Sequence, residues 1–374
     1  MKNINNAFFI QGINAFIGGS LEILLPLLLI EKNIRIEYIG LIFALGPLVF
    51  QTSRVIFAIL SDFFGRKKFF ILNSILTPIS SLIYYISSSP LVYAFGKVLD
   101  DSSSALLWSV NRAFFLEQDE HKKKNLVHMR TVNSISTALG RFVIGFLIVY
   151  ILFYNALLLL ILMGILIIPF SLSIKEQKKR RFKISEIKKI INIKNKSKSF
   201  KKILFYFTFL GLSDGIIFGG YVIPVFLSSK SFSPEIIGLL LGLQLFVCGV
   251  SGYFMKKLKM KHLLFWGVTS FSIFTLSLIF LESYLLAIAV SILLGTALGL
   301  VYITHEFIFS HIVKKESYAV DVALLLIGFH LGRGISQAAS GFMIPLYGYA
   351  SVFLFSIVTF MIYSIGLYRI FKNI

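Results

Sequence analysis

Few residues of this 374-residue chain can do chemistry, and several of them stand where charge is most expensive. Asp100 and Asp101 are adjacent and follow Lys97 within a stretch from Leu91 to Val110 that is otherwise apolar or small. At helical spacing Lys97, Asp101, Ser104 and Trp108 share a face, while Asp100 points about 100° away, toward Ser103 or Ser104 and Asn111. One carboxylate is then expected to be neutralised by Lys97 while the other meets a different environment. Two neighbouring acids in a low dielectric do not both ionise cheaply, so one of them can hold a proton near neutral pH. Other apolar runs carry Glu22, Asp214, Glu306 beside His305, Arg54, Arg141, and His330 with Arg333.

An uncompensated charge at mid-bilayer costs about 3 kcal/mol on insertion scales, so intramembrane ionisable groups point to function by default. Asp100, Asp101 and Asp214 are the leading candidates for proton coupling, followed by His330, whose ordinary pKa is about 6.5. The structural alternative is a permanent ion pair between helices, for example an Asp with Arg141 or Arg333. His330, Arg333 and Gln337 fall on one helical stripe, and Gln11, Asn14 or Ala15, Gly18 and Glu22 on another. Trp108 offers a flat face to a solute, although in a chain with 39 Phe and 16 Tyr an aromatic ring is more often packing.

The elements that must position these residues follow from composition. Hydrophobic residues make up 57% of the chain and charged residues 14%, against about 25% charged in soluble domains. Apolar runs predict spans near 6–30, 38–60, 69–88, 91–113, 127–151, 153–173, 203–227, 235–255, 263–281, 284–309, 320–343 and 348–370, each close to the roughly 20 residues that cross a bilayer. The length leaves no room for a separate soluble catalytic domain.

Basic clusters at Arg66 to Lys68, Lys122 to Lys124, Lys175 to Lys202, Lys256 to Lys261, Lys314 to Lys315, and Arg369 with Lys372 all fall on one side of that arrangement. The opposite connections carry chiefly Lys32, Arg35 and Lys230, so the positive-inside rule puts both termini in the cytoplasm. The net charge of +20 therefore reads as topology rather than as a nucleic-acid surface, and no nucleic-acid partner is expected. The single cysteine, Cys248, lies in an apolar run and reads as a small buried hydrophobe. The first apolar segment lacks a small-residue cleavage site and reads as an uncleaved span.

The chain also repeats itself. Residues 26–45 align without gaps on 224–243, matching Pro26 with Pro224, Glu37 with Glu235, and Ile39-Gly40-Leu41 with Ile237-Gly238-Leu239. A second echo pairs Leu139-Gly140-Arg141 with Leu331-Gly332-Arg333. Residues 1–174 and 203–374 thus read as two related six-helix bundles in the same orientation, joined by a basic linker over 175–202. In that linker Ile184, Ile187 and Ile191 recur at helical spacing, which suits an amphipathic helix on an anionic membrane surface or a solvated linker. Parallel repeats of this kind bind solute between the halves and rock them about it.

After the second span the chain reads Ala58-Ile-Leu-Ser-Asp62-Phe-Phe-Gly65-Arg66-Lys67-Lys68, which resembles the loop signature of the major facilitator superfamily, G-x-x-x-D-[RK]-x-G-[RK]-[RK]-[RK]. Ala58 stands for the first Gly and Phe63 for a basic residue. The resemblance implies twelve transmembrane helices in two pseudo-symmetric six-helix bundles. It also implies a central cavity lined by spans one, four, seven and ten, and a cytoplasmic latch in this loop. Gly65 suits a tight turn. Asp62 can accept from an Arg or from helix-terminal amides. Arg66 and Lys67 hold the loop at the surface, and Arg112 and Glu117 are expected partners at the inner end of span four.

No phosphate-binding loop, nucleophile elbow or metal-ligand spacing occurs, so neither an ATP-driven pump nor an enzyme is expected, and no cofactor or metal. The expected protein is a monomeric, multi-pass carrier of the cytoplasmic membrane that moves a small organic solute by alternating access, coupled to protons. Efflux is slightly favoured over uptake. Against that preference, span five of drug-proton antiporters typically has a Gly-Pro element, whereas the stretch here from Gly140 to Gly145 has no Pro.

Overall fold

The computed structural model describes residues 2–117, 122–175, 193, 196–255, 258–313 and 318–371, and among them there is no strand. Eleven helices follow one another: α1 Lys2–Glu31, α2 Ile36–Phe64, α3 Arg66–Ile86, α4 Pro90–Glu117, α5 Lys122–Ser173, α6 Lys198–Ile217, α7 Val222–Ser229, α8 Pro234–Met255, α9 Met260–Ile279, α10 Tyr284–Ile312 and α11 Tyr318–Phe371. Helices are the natural solution because hydrocarbon offers no partner for a backbone N–H or C=O, and a helix satisfies both internally.

Among the described residues nine helical segments are long and apolar enough to cross a membrane. Helix α4, 28 residues long, carries Lys97, Asp100, Asp101 and Arg112 and is not among the nine. Helices α5 and α11 run for 52 and 54 residues, and a straight helix of that size would measure about 80 Å against a hydrocarbon core of about 30 Å. Each is broken once, at Leu152 (φ 67°) and at Gly348 (φ 74°), so each supplies two crossings. With α6 and α7 sharing one crossing, the described helices make the twelve predicted from the apolar runs.

Helices α5 and α6 each begin five residues before their predicted spans, at Lys122 and Lys198. Helix α6 begins more than a turn before the apolar run, because the Ser197 hydroxyl caps it by accepting from the Phe200 amide at 3.1 Å. The predicted linker helix over Ile184 to Ile191 lies outside the described residues.

The chain divides into two units. The first gathers Met1–Ile34, the chain from Leu45 through α5, and Ser233–Gly242. The second gathers Arg35–Ala44, the chain from α6 to Phe232, and Leu243 through α11. Within the first unit α1 packs on α5, and α3 on α4 and α5. Within the second α6 packs on α11, and α9 on α10 and α11, which is the same arrangement one repeat later.

The first turns of α2 and α8 thus cluster with the helices of the other repeat. The reason is glycine: Gly40 lies against Gly341 and the Gln337 carbonyl, and Gly238 against Gly145 and the Arg141 carbonyl, where a Cβ would strike backbone. Large apolar side chains such as Leu91, Leu162, Phe205, Phe265 and Leu285 are exposed, as lipid contact requires.

Candidate functional site

Helix α4 carries the densest charge. The Lys97 ammonium lies 2.7 Å from Asp101 Oδ2 and 3.5 Å from Asp100 Oδ2, so it serves both acids. Sequence spacing had separated them, with Asp100 turned to a different environment. Lysine is long enough to reach positions three and four residues on, and in a poorly hydrated site the two attractions outweigh the side-chain entropy. One cation between two carboxylates leaves a negative charge over. Gly46 of α2 makes the room, since a Cβ there would come within 2.6 Å of Asp101 Oδ2.

The hydroxyl and amide groups thought to face Asp100 belong to a separate, buried polar network. Asn73 Nδ2 donates to Ser103 Oγ at 2.9 Å, Thr77 shares a bond of 2.9 Å with the same hydroxyl, and Thr77 donates to Asn14 Oδ1 at 3.0 Å. Asn111 donates to Gln11, which donates to Asn133, each at 2.7 Å. These bonds join α1, α3, α4 and α5 within the first unit.

Glu22, Arg141, Asp214 and Arg333 form two pairs. Arg141 Nη2 lies 2.6 Å from Glu22 Oε2, and its Nη1 donates to the Leu241 carbonyl at 3.1 Å. Arg333 Nε lies 3.5 Å from Asp214 Oδ2. The shift of 192 residues that takes Arg141 to Arg333 also takes Glu22 to Asp214. Backbone packing follows the same register: a Cβ on Gly19 would strike the Thr137 carbonyl, and one on Gly211 would strike the Phe329 carbonyl.

Past the acids the shift becomes 198, taking Pro26 to Pro224, so the second repeat holds six more residues between Asp214 and Pro224. They form the break between α6 and α7 around Phe218 to Tyr221. That break frees the Gly219 carbonyl, which accepts from the Arg333 guanidinium and, at 2.7 Å, from Gln337 Nε2. A side chain on Gly219 would occupy the guanidinium's place. The stripe of His330, Arg333 and Gln337 read from sequence therefore meets a broken helix that sequence reading missed; the extra six residues and the Gly219-Gly220 pair were its signal.

Of the expected latch residues, Asp62 accepts from Arg66, which also donates to Ser61 and is buried. Gly65 takes φ 90°, a conformation natural to glycine, and joins α2 to α3 in a single residue. Lys67 is half-buried. Arg112 is half-buried on α4. Glu117 ends α4, and its side chain lies outside the described residues. His330 is buried, its ring 5.2 Å from that of Phe329. Trp108 is half-buried and, among the described residues, stacks on no other ring.

An open concavity of about 460 Å³ is lined by Asn5, Phe8, Phe9, Gly12 and Ile13 of α1, none of them charged. Among the described residues no group of three or more His, Cys, Asp or Glu is arranged to hold a metal ion.

A bundle of this topology, with paired charges inside its helices, defines a polytopic membrane transporter rather than an enzyme. The model of the Major Facilitator Superfamily matches residues 7–316, and the chain belongs to that superfamily. Two crystal structures of the nucleoside transporter NupG share the fold: the D323A mutant at TM-score 0.83 and 12% identity, covering 99% of this chain and 100% of that one, and the other at 0.78 and 12%, covering 100% of both. A bacterial homolog of the human lysosomal transporter Spinster, solved in an inward-facing and unoccupied conformation, has TM-score 0.72 at 13% identity over 98% of this chain and 92% of that chain. No curated protein matches the sequence.

Proposed function

We propose that the protein moves a small organic solute across the cytoplasmic membrane by alternating access, driven by proton movement. The bundles 1–174 and 203–374 rock about a midplane site, both termini lie in the cytoplasm, and a monomer suffices. The observation that carries the coupling is the α4 triad, in which Lys97 is shared by Asp100 and Asp101. In low dielectric the surplus negative charge is most cheaply removed by a proton, and most cheaply restored when the site faces water. Access that alternates between two compartments then converts this equilibrium into vectorial proton transfer.

Asp214 joins the cycle when Arg333 releases it, and His330 on the same helix as Arg333 is the next titratable group. Trp108, on the α4 face that Lys97 and Asp101 share, supplies a stacking surface for the solute. Arg66 with Asp62, and Lys67 beside them, hold the α2–α3 turn as the cytoplasmic latch.

Export is the direction we propose. Uptake is the second reading, favoured by the Pro-free stretch from Gly140 to Gly145. The likeness to NupG makes nucleosides the first solutes to screen, followed by organic cations and anions.

The test is accumulation in proteoliposomes under an imposed pH gradient of either sign, with Asp100→Asn, Asp101→Asn and Asp214→Asn in parallel. At least one of the Asp100 and Asp101 variants should lose gradient-driven accumulation by about tenfold or more while keeping solute exchange without a gradient. Full accumulation in all three would remove the coupling assignment.

A further inference from the structure

The buried hydroxyls of α3 follow a rule. Ser74, Thr77, Ser80 and Ser81 each donate to a backbone carbonyl three or four residues back, and Tyr93 of α4 donates to the Ser87 carbonyl at 3.1 Å. Tyr84 breaks it: the residue is 0% exposed, and its hydroxyl has no hydrogen-bond partner among the described residues. A phenylalanine would fill the same space without burying a polar group, so the hydroxyl calls for a partner in another state of the molecule.

Packing points to that partner. A Cβ on Gly96 would come within 2.7 Å of Tyr84 Cε1, so the ring rests on α4 at that glycine. Two turns further along α4, Ser103 is bonded to Asn73 and to Thr77 of α3, each at 2.9 Å. Gly96 and Ser103 thus mark the side of α4 that faces α3, and Asp100 lies between them, one turn past Gly96. The two helices run antiparallel, because Tyr84 meets Gly96 while Thr77 meets Ser103. A helical side chain leans toward the N-terminus of its own helix, which carries the Tyr84 hydroxyl from the level of Gly96 toward that of Asp100. Asp101 points about 100° away, to Gly46 of α2.

The two acids are therefore unequal. Lys97 lies nearer Asp101, at 2.7 Å, than Asp100, at 3.5 Å, and only Asp100 has a phenol at hand on the neighbouring helix. The other charged groups around Asp100 are Lys97 and Asp101 on its own helix and Glu22 of α1, which Arg141 of α5 holds. We infer that Asp100 is the acid that takes up and releases the proton, and that Tyr84 is its positioning residue, donating to the carboxylate when Lys97 closes on Asp101. When the proton leaves Asp100 for water, the phenol keeps its own proton and turns its O–H to the carboxylate; when the proton returns, the acid O–H can donate to the phenol oxygen. The inference rests on the proposed proton coupling for its purpose, but the titration it describes does not depend on flux.

The experiment follows the carboxylic-acid carbonyl band by difference infrared spectroscopy while the purified full chain is titrated with acid. A donor to the charged form favours it, so its removal makes the acid hold its proton to higher pH. Tyr84→Phe should move the midpoint of the band upward by about one pH unit, which is a tenfold change in proton affinity. Its Tm should hold or increase where Asp100 is protonated, because an unpartnered buried hydroxyl has gone. Asp100→Asn should abolish the titrating band, and adding Tyr84→Phe to it should change nothing further. Asp101→Asn should keep the band and lower its midpoint, because Lys97 then serves Asp100 alone. In proteoliposomes the pH profile of gradient-driven accumulation should shift in Tyr84→Phe in the same direction as the band.

An unchanged midpoint in Tyr84→Phe would overturn the role of Tyr84, as would an equal shift in the Asp100→Asn background. A band that survives in Asp100→Asn and disappears in Asp101→Asn would give the proton to the other acid and end the inference. If the band behaves as expected while Asp100→Asn still accumulates solute along a pH gradient, the contact between Tyr84 and Asp100 stands and the proposed coupling falls.

Discussion

Glu22–Arg141 and Asp214–Arg333 hold the same register of the repeat, yet they are built for different surroundings. The Glu22 side chain is 46% exposed and that of Asp214 is 11% exposed. Arg141 spends its spare donor on the Leu241 carbonyl, two turns into α8, whereas Arg333 turns to the Gly219 carbonyl freed by the break between α6 and α7. One device, an acid on the first helix of a repeat against an Arg on the fifth, thus became a clamp at an intact helix in one unit and a support for a broken helix in the other. Irregular backbone at membrane depth survives only where protein groups satisfy it, and Arg333 with Gln337 does so here.

Two substitutions test that contrast. Arg333→Leu leaves Asp214 buried without its ion pair and deprives the Gly219 carbonyl of a charged donor, so a loss of about 3 kcal/mol is expected by thermal unfolding in detergent. Arg141→Leu leaves Glu22 partly in contact with solvent, and about 1 kcal/mol is expected. Equal losses would mean that the pairs are equivalent and that the break needs no support.

The glycine pairs should give a smaller but symmetric effect. Gly40→Ala and Gly238→Ala each push a methyl into backbone on the facing helix, at Gly341 and Gly145, and about 2 kcal/mol is expected for each, as in other overpacked cores. An effect at only one of them would show that the repeat's packing is not shared.

The smallest contrast concerns the breaks of α5 and α11. Leu152 holds φ 67° with a side chain that disfavours it, while Gly348 holds φ 74° freely. Leu152→Gly should therefore stabilise by about 1 kcal/mol, and Gly348→Leu should destabilise by a similar amount, read as opposite shifts in Tm. Shifts of the same sign would show that local backbone preference does not govern these connections.

The helical class, the number of crossings and the repeat were legible in the residues because lipid imposes length and apolarity on every span, and because Pro26, Glu37 and Gly40 recur as Pro224, Glu235 and Gly238. The charged groups of α4 were legible for the same reason, since any charge in an apolar run stands out. Their partners were not. Helical spacing assigned Lys97 to one acid, whereas a flexible four-carbon stem reaches both Asp100 and Asp101. No spacing rule says which of Arg141 and Arg333 meets which acid, because the partners lie more than a hundred residues apart.

The six extra residues before Pro224 were present in the two unequal repeat shifts, but only packing turns an insertion into a broken helix with an accepting carbonyl. Composition and periodicity decide what each segment must be in a bilayer, whereas pairings across long stretches of chain are decided by tertiary contacts, because side chains meet through space.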